Sequence, residues 1–203
     1  MGNAASATNK VRNQQFFETY FSGTVLDIGA GSDPVVSHAQ IFDRAEGDAN
    51  KILDYLKLES FDCVHSSHCL EHMYYPKEVL KDWWRLVKPG GYMITIIPHE
   101  DLYEQFLWPS IFNDDHKATF RINGLSSWSP VSINIHEECL GLNHCEVLSC
   151  VVQDENYEYG LMFPKNKKYC TEVNHFILVI ANPSFANDWA YVFDSRGCCI
   201  SMI

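Results

Sequence analysis

The chain lacks a long apolar run: no stretch of its 203 residues reaches the ~20 apolar positions of a membrane-spanning helix. It is also short of positive charge, with 15 Lys and Arg against 26 Asp and Glu and a net charge of −11. A balance of that sign repels phosphate backbones and sets bulk nucleic acid aside as a substrate. The modest basic cluster PKNKK, Pro164 to Lys168, reads as a solvated loop. The eight cysteines contain no C-x-x-C and no zinc-ribbon spacing. Cys63, Cys69 and Cys150 lie in or near apolar stretches, where a thiol acts as a small hydrophobe. Cys198 and Cys199 read as exposed, oxidation-prone thiols, and the ending Ile200 to Ile203 is not a prenylation box. The opening MGNAASATNK has no apolar signal-peptide core. It matches the M-G-x-x-x-[ST] acylation pattern at Gly2, against the plainer reading of a flexible terminus over residues 1–9. Reduced thiols and the missing leader make a cytoplasmic protein the expectation. With 46% hydrophobic residues, no repeat and no low-complexity tract, a single domain over residues 1–203 is expected.

What is present centres on VLDIGAGSDP, Val25 to Pro34. Val25, Leu26 and Ile28 suit a strand covered on both faces. Gly29 and Gly31 permit a sharp turn and a close backbone approach to a ligand. Ser32 or Asp33 is placed to cap a following helix, with Pro34 in its first turn. Glycine turns of this kind lie at the carboxyl ends of parallel strands, where open α/β sheets bind ligands. The pattern is D-x-G-x-G. It lacks the third glycine of the dinucleotide fingerprint, and that disfavours a nicotinamide-dependent oxidoreductase.

Along the chain, aromatics at Phe16, Phe17, Tyr20 and Phe21 predict a packed helix over 10–21. After the glycine turn, 33–38 leaves room for one or two helical turns before a strand over 39–42. Asp43 ends that strand, placed to accept hydrogen bonds from a ribose diol or simply solvated in a turn. Asp48 is placed either to meet a nucleoside group or to cap a turn. A buried strand is expected over 61–66, a helix over 77–87 opened by Pro76, and a strand over 92–97 after the stop Lys88-Pro89-Gly90-Gly91. Residues 100–123 are irregular and aromatic, as a substrate lid would be. A helix over 132–142 and strands over 145–152 and 175–181 follow, the last pair antiparallel. A C-terminal extension, 184–203, closes the chain, with a short helix or a partner-packing segment at 188–193. The alternation predicts an α/β, doubly wound, mostly parallel sheet. Asp27, Asp43, Ser66 to His68 and His99 all fall at strand carboxyl ends, so they converge on one edge.

Two stretches resemble the class I S-adenosylmethionine-dependent methyltransferases, most of all their small type-11-like branch. VLDIGAGSDP is similar to the first motif of that family. Ser60 to Pro98, with its FDCVHSSHCLEH, RLVKPGG and following strand, is similar to the fourth-strand region. EDLYEQ followed by DDHK, Glu100 to Lys117, resembles a subset of that branch. The resemblance implies a Rossmann-like sheet of seven strands, the last antiparallel and inserted beside the sixth, and S-adenosyl-L-methionine as cofactor. It implies that Asp27, Gly29, Ala30 and Gly31 cradle the methionine part and that Asp43 holds the ribose hydroxyls. Asp48 and Ala49 would lie by the adenine, with Ser66 and Ser67 by the sulfonium.

Methyl transfer from a sulfonium is a displacement governed by positioning, and a hydroxyl or amine acceptor also sheds a proton. His68, His99 and His116 are the candidate bases, because imidazole titrates near neutrality. His72, beside Glu71, reads as structural. Asp114, Asp115 and His116 cluster, but adjacent residues on a regular element do not all face one ion, so no metal is expected. The acidic charge and the aromatics Tyr103, Trp108 and Phe112 point to a small-molecule or saccharide acceptor. The competing reading is a cofactor-binding regulatory or scaffold protein on the same fold.

Overall fold

The computed structural model describes residues 8–122, 124, 126–154, 159, 176–183, 192–193 and 199–201. The acylation pattern at Gly2, the basic cluster and most of the loop before the last sheet strand lie outside those residues, as does most of the C-terminal extension.

Among the described residues six strands form the main sheet, in the order β2-β1-β3-β4-β8-β7. They are β1 (Val25–Ile28), β2 (Gln40–Phe42), β3 (Phe61–Ser67), β4 (Val87–Pro98), β7 (Cys145–Gln153) and β8 (Phe176–Pro183). The first four pair in parallel, and β8 runs antiparallel between β4 and β7. The antiparallel last strand lies beside its predecessor, as the resemblance implies. Among the described residues the sheet has six strands instead of seven, and the segment after β2 forms a 3₁₀ helix, Ala49–Asp54, capped by Asp48. A separate parallel pair, β5 (Thr119–Arg121) and β6 (Ser132–Asn134), follows the irregular segment, and β9 (Val192–Phe193) pairs with β10 (Cys199–Ser201).

Helix α1 (Gln14–Tyr20) begins at Asn13, whose side chain accepts from the Phe16 amide. Its aromatics pack with Phe21, Val25, Cys63, Ile94 and Ile96 on one face of the sheet. The other face carries the larger core, built from Leu26, Ile28, Val64 and Met93 against α2 (Pro76–Trp84) and α3 (Ile135–Leu140). In α2, buried Val79, Leu80, Trp83 and Trp84 form one apolar stripe. Two indole N–H groups fasten it: Trp83 to the Ala49 carbonyl at 3.1 Å and Trp84 to the Asn143 carbonyl at 2.9 Å.

Three elements differ from the expectations. Residues 33–38 form turns and no helix, because the Val35 amide donates to Asp27 Oδ2 at 2.6 Å. Helix α2 stops at Trp84, since the Leu86 carbonyl accepts from Ser60 and Phe61 and Val87 pairs with Phe61. Lys88 to Gly91 become a bulge inside β4. Finally, 132–134 is the strand β6, with the helix confined to Ile135–Leu140.

Candidate functional site

The sheet register sets the site. Ile28 lies opposite both Phe42 and Ser66, and Ser66 opposite Thr95, so four parallel strands end in one row. Just beyond that row come Gly29, Asp43 and the pair Ser67-His68. The Gly29 amide donates to the Phe42 carbonyl at 2.9 Å, and the His68 amide to the Ile96 carbonyl at 2.9 Å. Of the positions expected at strand ends, Asp43 and Ser66 to His68 lie at this edge, His99 follows the end of β4 at Pro98, and Asp27 sits one residue inside the end of β1.

Within the loop, Gly29 and Gly31 have φ of +78° and +58°, in the left-handed region. A Cβ on Gly29 would sit 2.7 Å from Cys69 Sγ. The Gly31 amide donates to Asp43 Oδ2 at 2.8 Å, and the Arg44 amide to Asp43 Oδ1 at 2.7 Å. The carboxylate at the end of β2 is thus fixed against the glycine turn and half-exposed.

Asp27 lies behind the loop. It is 1% exposed. Its Oδ1 is 2.7 Å from His65 Nδ1, and its Oδ2 takes the Val35 amide. His65 is the directly paired residue on β3 and packs against the Phe21 ring, so this buried pair faces α1. The Arg12 guanidinium lies on the Phe16 ring at 4.9 Å. Burial lowers its pKa to about 10, against the opposing pull of Cys63 and Asp27. Neither His65 nor Arg12 is an expected site residue. The signal for His65 is a charge-capable residue interrupting an apolar strand, as Asp27 does in β1.

Asp48 caps the 3₁₀ helix, its Oδ1 accepting from the Asn50 amide and side chain at 2.9 Å each. These bonds hold its pKa below the usual carboxylate range. Ala49 is half-buried beside it. Ser66, Ser67 and Thr95 are buried with hydroxyls that have no hydrogen-bond partner among the described residues. Buried hydroxyls normally find partners, so three at one strand edge suit a polar ligand.

The three candidate histidines part company. His68 follows Ser67 directly with a left-handed φ of +53°. Its Nδ1 is 3.5 Å from buried Glu71 Oε1, and its side chain is 22% exposed. His99 Nδ1 accepts from the Asp101 amide at 3.2 Å, capping the short π-helix Glu100–Glu104, and burial lowers its pKa. His116 is buried, with Nδ1 2.6 Å from Glu104 Oε1. The carboxylates of the EDLYEQ stretch are thus structural ties. Glu100 likewise binds the hydroxyls of Thr119 at 3.0 Å, Ser127 at 2.6 Å, and Ser132. Asp101 accepts from the Trp128 indole at 2.8 Å. Cys63 and Cys69 are free thiols whose pKa burial pushes up, consistent with hydrophobes.

A cleft of about 360 Å³ lies at the opposite, amino-terminal edge of the sheet, lined by Gly23, Asp62, Gly90 and Tyr92 among others. It is remote from the glycine turn, where parallel α/β sheets bind ligands.

The sequence profile of the family described as "Methyltransferase domain" matches residues 13–95, from the start of α1 into β4. Over those residues the chain resembles a methyltransferase domain, and its sheet has the fold of the class I S-adenosylmethionine-dependent methyltransferases. No curated protein matches this chain in sequence. Among solved structures, a candidate methyltransferase from Bacillus halodurans C-125 superposes with a TM-score of 0.52 at 13% identity, over 91% of this chain and 100% of the other. A chain of the Haloferax volcanii complex between the methyltransferase activator Trm112 and a candidate methyltransferase gives a TM-score of 0.51 at 14% identity, over 79% and 82%. A Thermotoga maritima methyltransferase, named as a candidate histamine N-methyltransferase, gives 0.50 at 16% identity, over 90% and 88%. At such identities these likenesses show the shared fold. The cofactor that such a domain implies is S-adenosylmethionine. The residues at the edge fit such a group: a left-handed glycine turn, a carboxylate fixed at the next strand end, and partnerless buried hydroxyls.

Proposed function

We propose that this methyltransferase moves a methyl group to a hydroxyl or amine of a small molecule or sugar-like acceptor. The observation that carries the cofactor part is the Asp43 carboxylate held by the Gly31 amide beside the glycine turn. Gly29, Ala30 and Gly31 would hold the methionine part, Asp43 the ribose hydroxyls, and Ala49 the adenine side. Ser66 and Ser67 would border the sulfonium. Asp27 and Asp48 contribute from behind, one shaping the loop and the other capping the 3₁₀ helix.

When bound, S-adenosylmethionine supplies an activated methyl group, so the protein's task is alignment. His68 is the residue we place as the acceptor's base. It lies at the sheet edge, partly accessible, with a buried carboxylate behind its Nδ1. His99 spends its Nδ1 lone pair on a backbone amide, and its neutral form then carries a proton on the other nitrogen. His116 is enclosed. The acidic surface and the exposed rings of Tyr74 and Tyr75 next to the turn at 70–72 support an uncharged or cationic small acceptor.

Calorimetric titration of the full-length protein with S-adenosylmethionine tests the site. Binding by the parent, lost in Asp43→Ala and Gly29→Val, is expected; a folded parent that binds nothing would overturn the reading. A screen of small hydroxyl and amine acceptors with methyl-labelled cofactor then tests the acceptor class. Once an acceptor is found, His68→Asn should keep cofactor binding while turnover falls about 10²–10⁴-fold.

A further inference from the structure

We propose that Glu71, His72 and His116 form a binding site for a divalent transition-metal ion, with zinc the best match to the donor set. Their ligand atoms lie within 4.8 Å of one another. Tetrahedral ligation at about 2.0–2.1 Å places such atoms about 3.3 Å apart. Binding would draw these atoms closer, chiefly through the partly exposed His72 ring. Two nitrogens and one carboxylate oxygen are a usual zinc set, and they leave a fourth position open.

The surroundings of the two histidines point the same way. His72 Nδ1 is 3.2 Å from Asp115 Oδ2, and His116 Nδ1 is 2.6 Å from Glu104 Oε1. His116 Nδ1 is bound by the Glu104 carboxylate and His72 Nδ1 by the Asp115 backbone carbonyl at 3.4 Å with its carboxylate alongside, which leaves Nε2 as the basic atom in each ring. This carboxylate–histidine arrangement is what orients imidazoles on metals. The rings pack edge to face with centroids 5.0 Å apart.

Glu71 supplies an independent reason. It is 1% exposed, and its nearest side-chain partners are His68 Nδ1 at 3.5 Å and His72 Nε2 at 3.9 Å. The first is at the outer limit of a hydrogen bond and the second is beyond it. A buried carboxylate with such long contacts is a place where a cation replaces lost solvation. The backbone is already tied, since the Lys117 amide donates to the Glu71 carbonyl at 2.7 Å. The ion would fasten the segment from Glu100 to Lys117 to the turn after β3, one step from His68. The inference does not depend on methyl transfer.

The test uses the full-length protein, stripped with chelator and titrated with zinc chloride by calorimetry. One ion per chain is expected for the parent. His72→Ala and His116→Ala should abolish binding, with folding checked by circular dichroism. Glu104→Gln keeps the size of the side chain and keeps the test valid if a histidine variant unfolds; it should weaken binding about 10–100-fold. The cobalt-loaded parent should absorb without a thiolate-to-metal charge-transfer band. A folded parent that takes up no zinc would overturn the proposal. So would undiminished binding by the variants, or a thiolate band, either of which assigns the ion to cysteines.

Discussion

The Asp27 carboxylate links three parts of the molecule: β1, the turn at Val35 and His65 on β3. Removing it strands a buried imidazole and a buried amide at once. Asp27→Ala should therefore cost about 3–5 kcal/mol, the range for breaking a buried pair from one side. Urea unfolding measures it, and Asp27→Asn, which keeps an acceptor, should cost less. Asp27 and the two glycines are legible in the sequence because their chemistry is local: a carboxylate and two Cβ-free positions within five residues. His65 is not, because its partner is 38 residues away and only strand register brings them together. The same reason hides the pairing of Glu104 with His116. Each looks like an ordinary polar residue of an irregular segment.

At the scale of elements, the starts of β1, β3 and β4 are locked by Asp62. Lys88 Nζ at 2.8 Å, then Thr24 Oγ1 at 2.6 Å and its amide at 2.8 Å, hold its pKa at about 2. A carboxylate whose folded pKa lies below its unfolded value adds stability that is complete above about pH 4. That contribution disappears as the pH falls through about 2. The group is 41% exposed, so the amount is below about 1 kcal/mol. Thermal melts should show Asp62→Asn less stable than the parent at pH 7 and equal to it below pH 2. The bulge at Lys88 to Gly91 belongs here too. Gly90 has φ +77°, and a Cβ on Gly91 would sit 2.7 Å from the Asp62 carbonyl. From sequence alone this stretch marks a helix end, and it does lie close to one. That it lies inside a strand depends on Leu86 and Val87 being taken up by the β3 ladder. Residues 33–38 follow the same logic, because capping signals lose to a tertiary acceptor.

For the whole molecule, ligand binding should appear as stability. At a hundred times its dissociation constant a ligand adds about 2.7 kcal/mol. In a protein of 203 residues that is a rise in melting temperature of about 5–10 °C. Differential scanning should show it with S-adenosylmethionine for the parent and not for Asp43→Ala. Among the described residues no helix is long and apolar enough to cross a membrane. The sequence by itself determined the alternating α/β order and the glycine turn, while the antiparallel final strand was implied by the family resemblance and by the lack of a helix before it. The first two follow from hydrophobic periodicity, Cβ-free positions and strand-forming runs, all short-range properties. The tertiary structure alone decided that Asp27 faces His65, that the segment after β2 coils instead of joining the sheet, and that Glu71, His72 and His116 meet. Each of these depends on side chains distant in sequence, aligned by strand register and by packing against a sheet that exists only once the chain has folded.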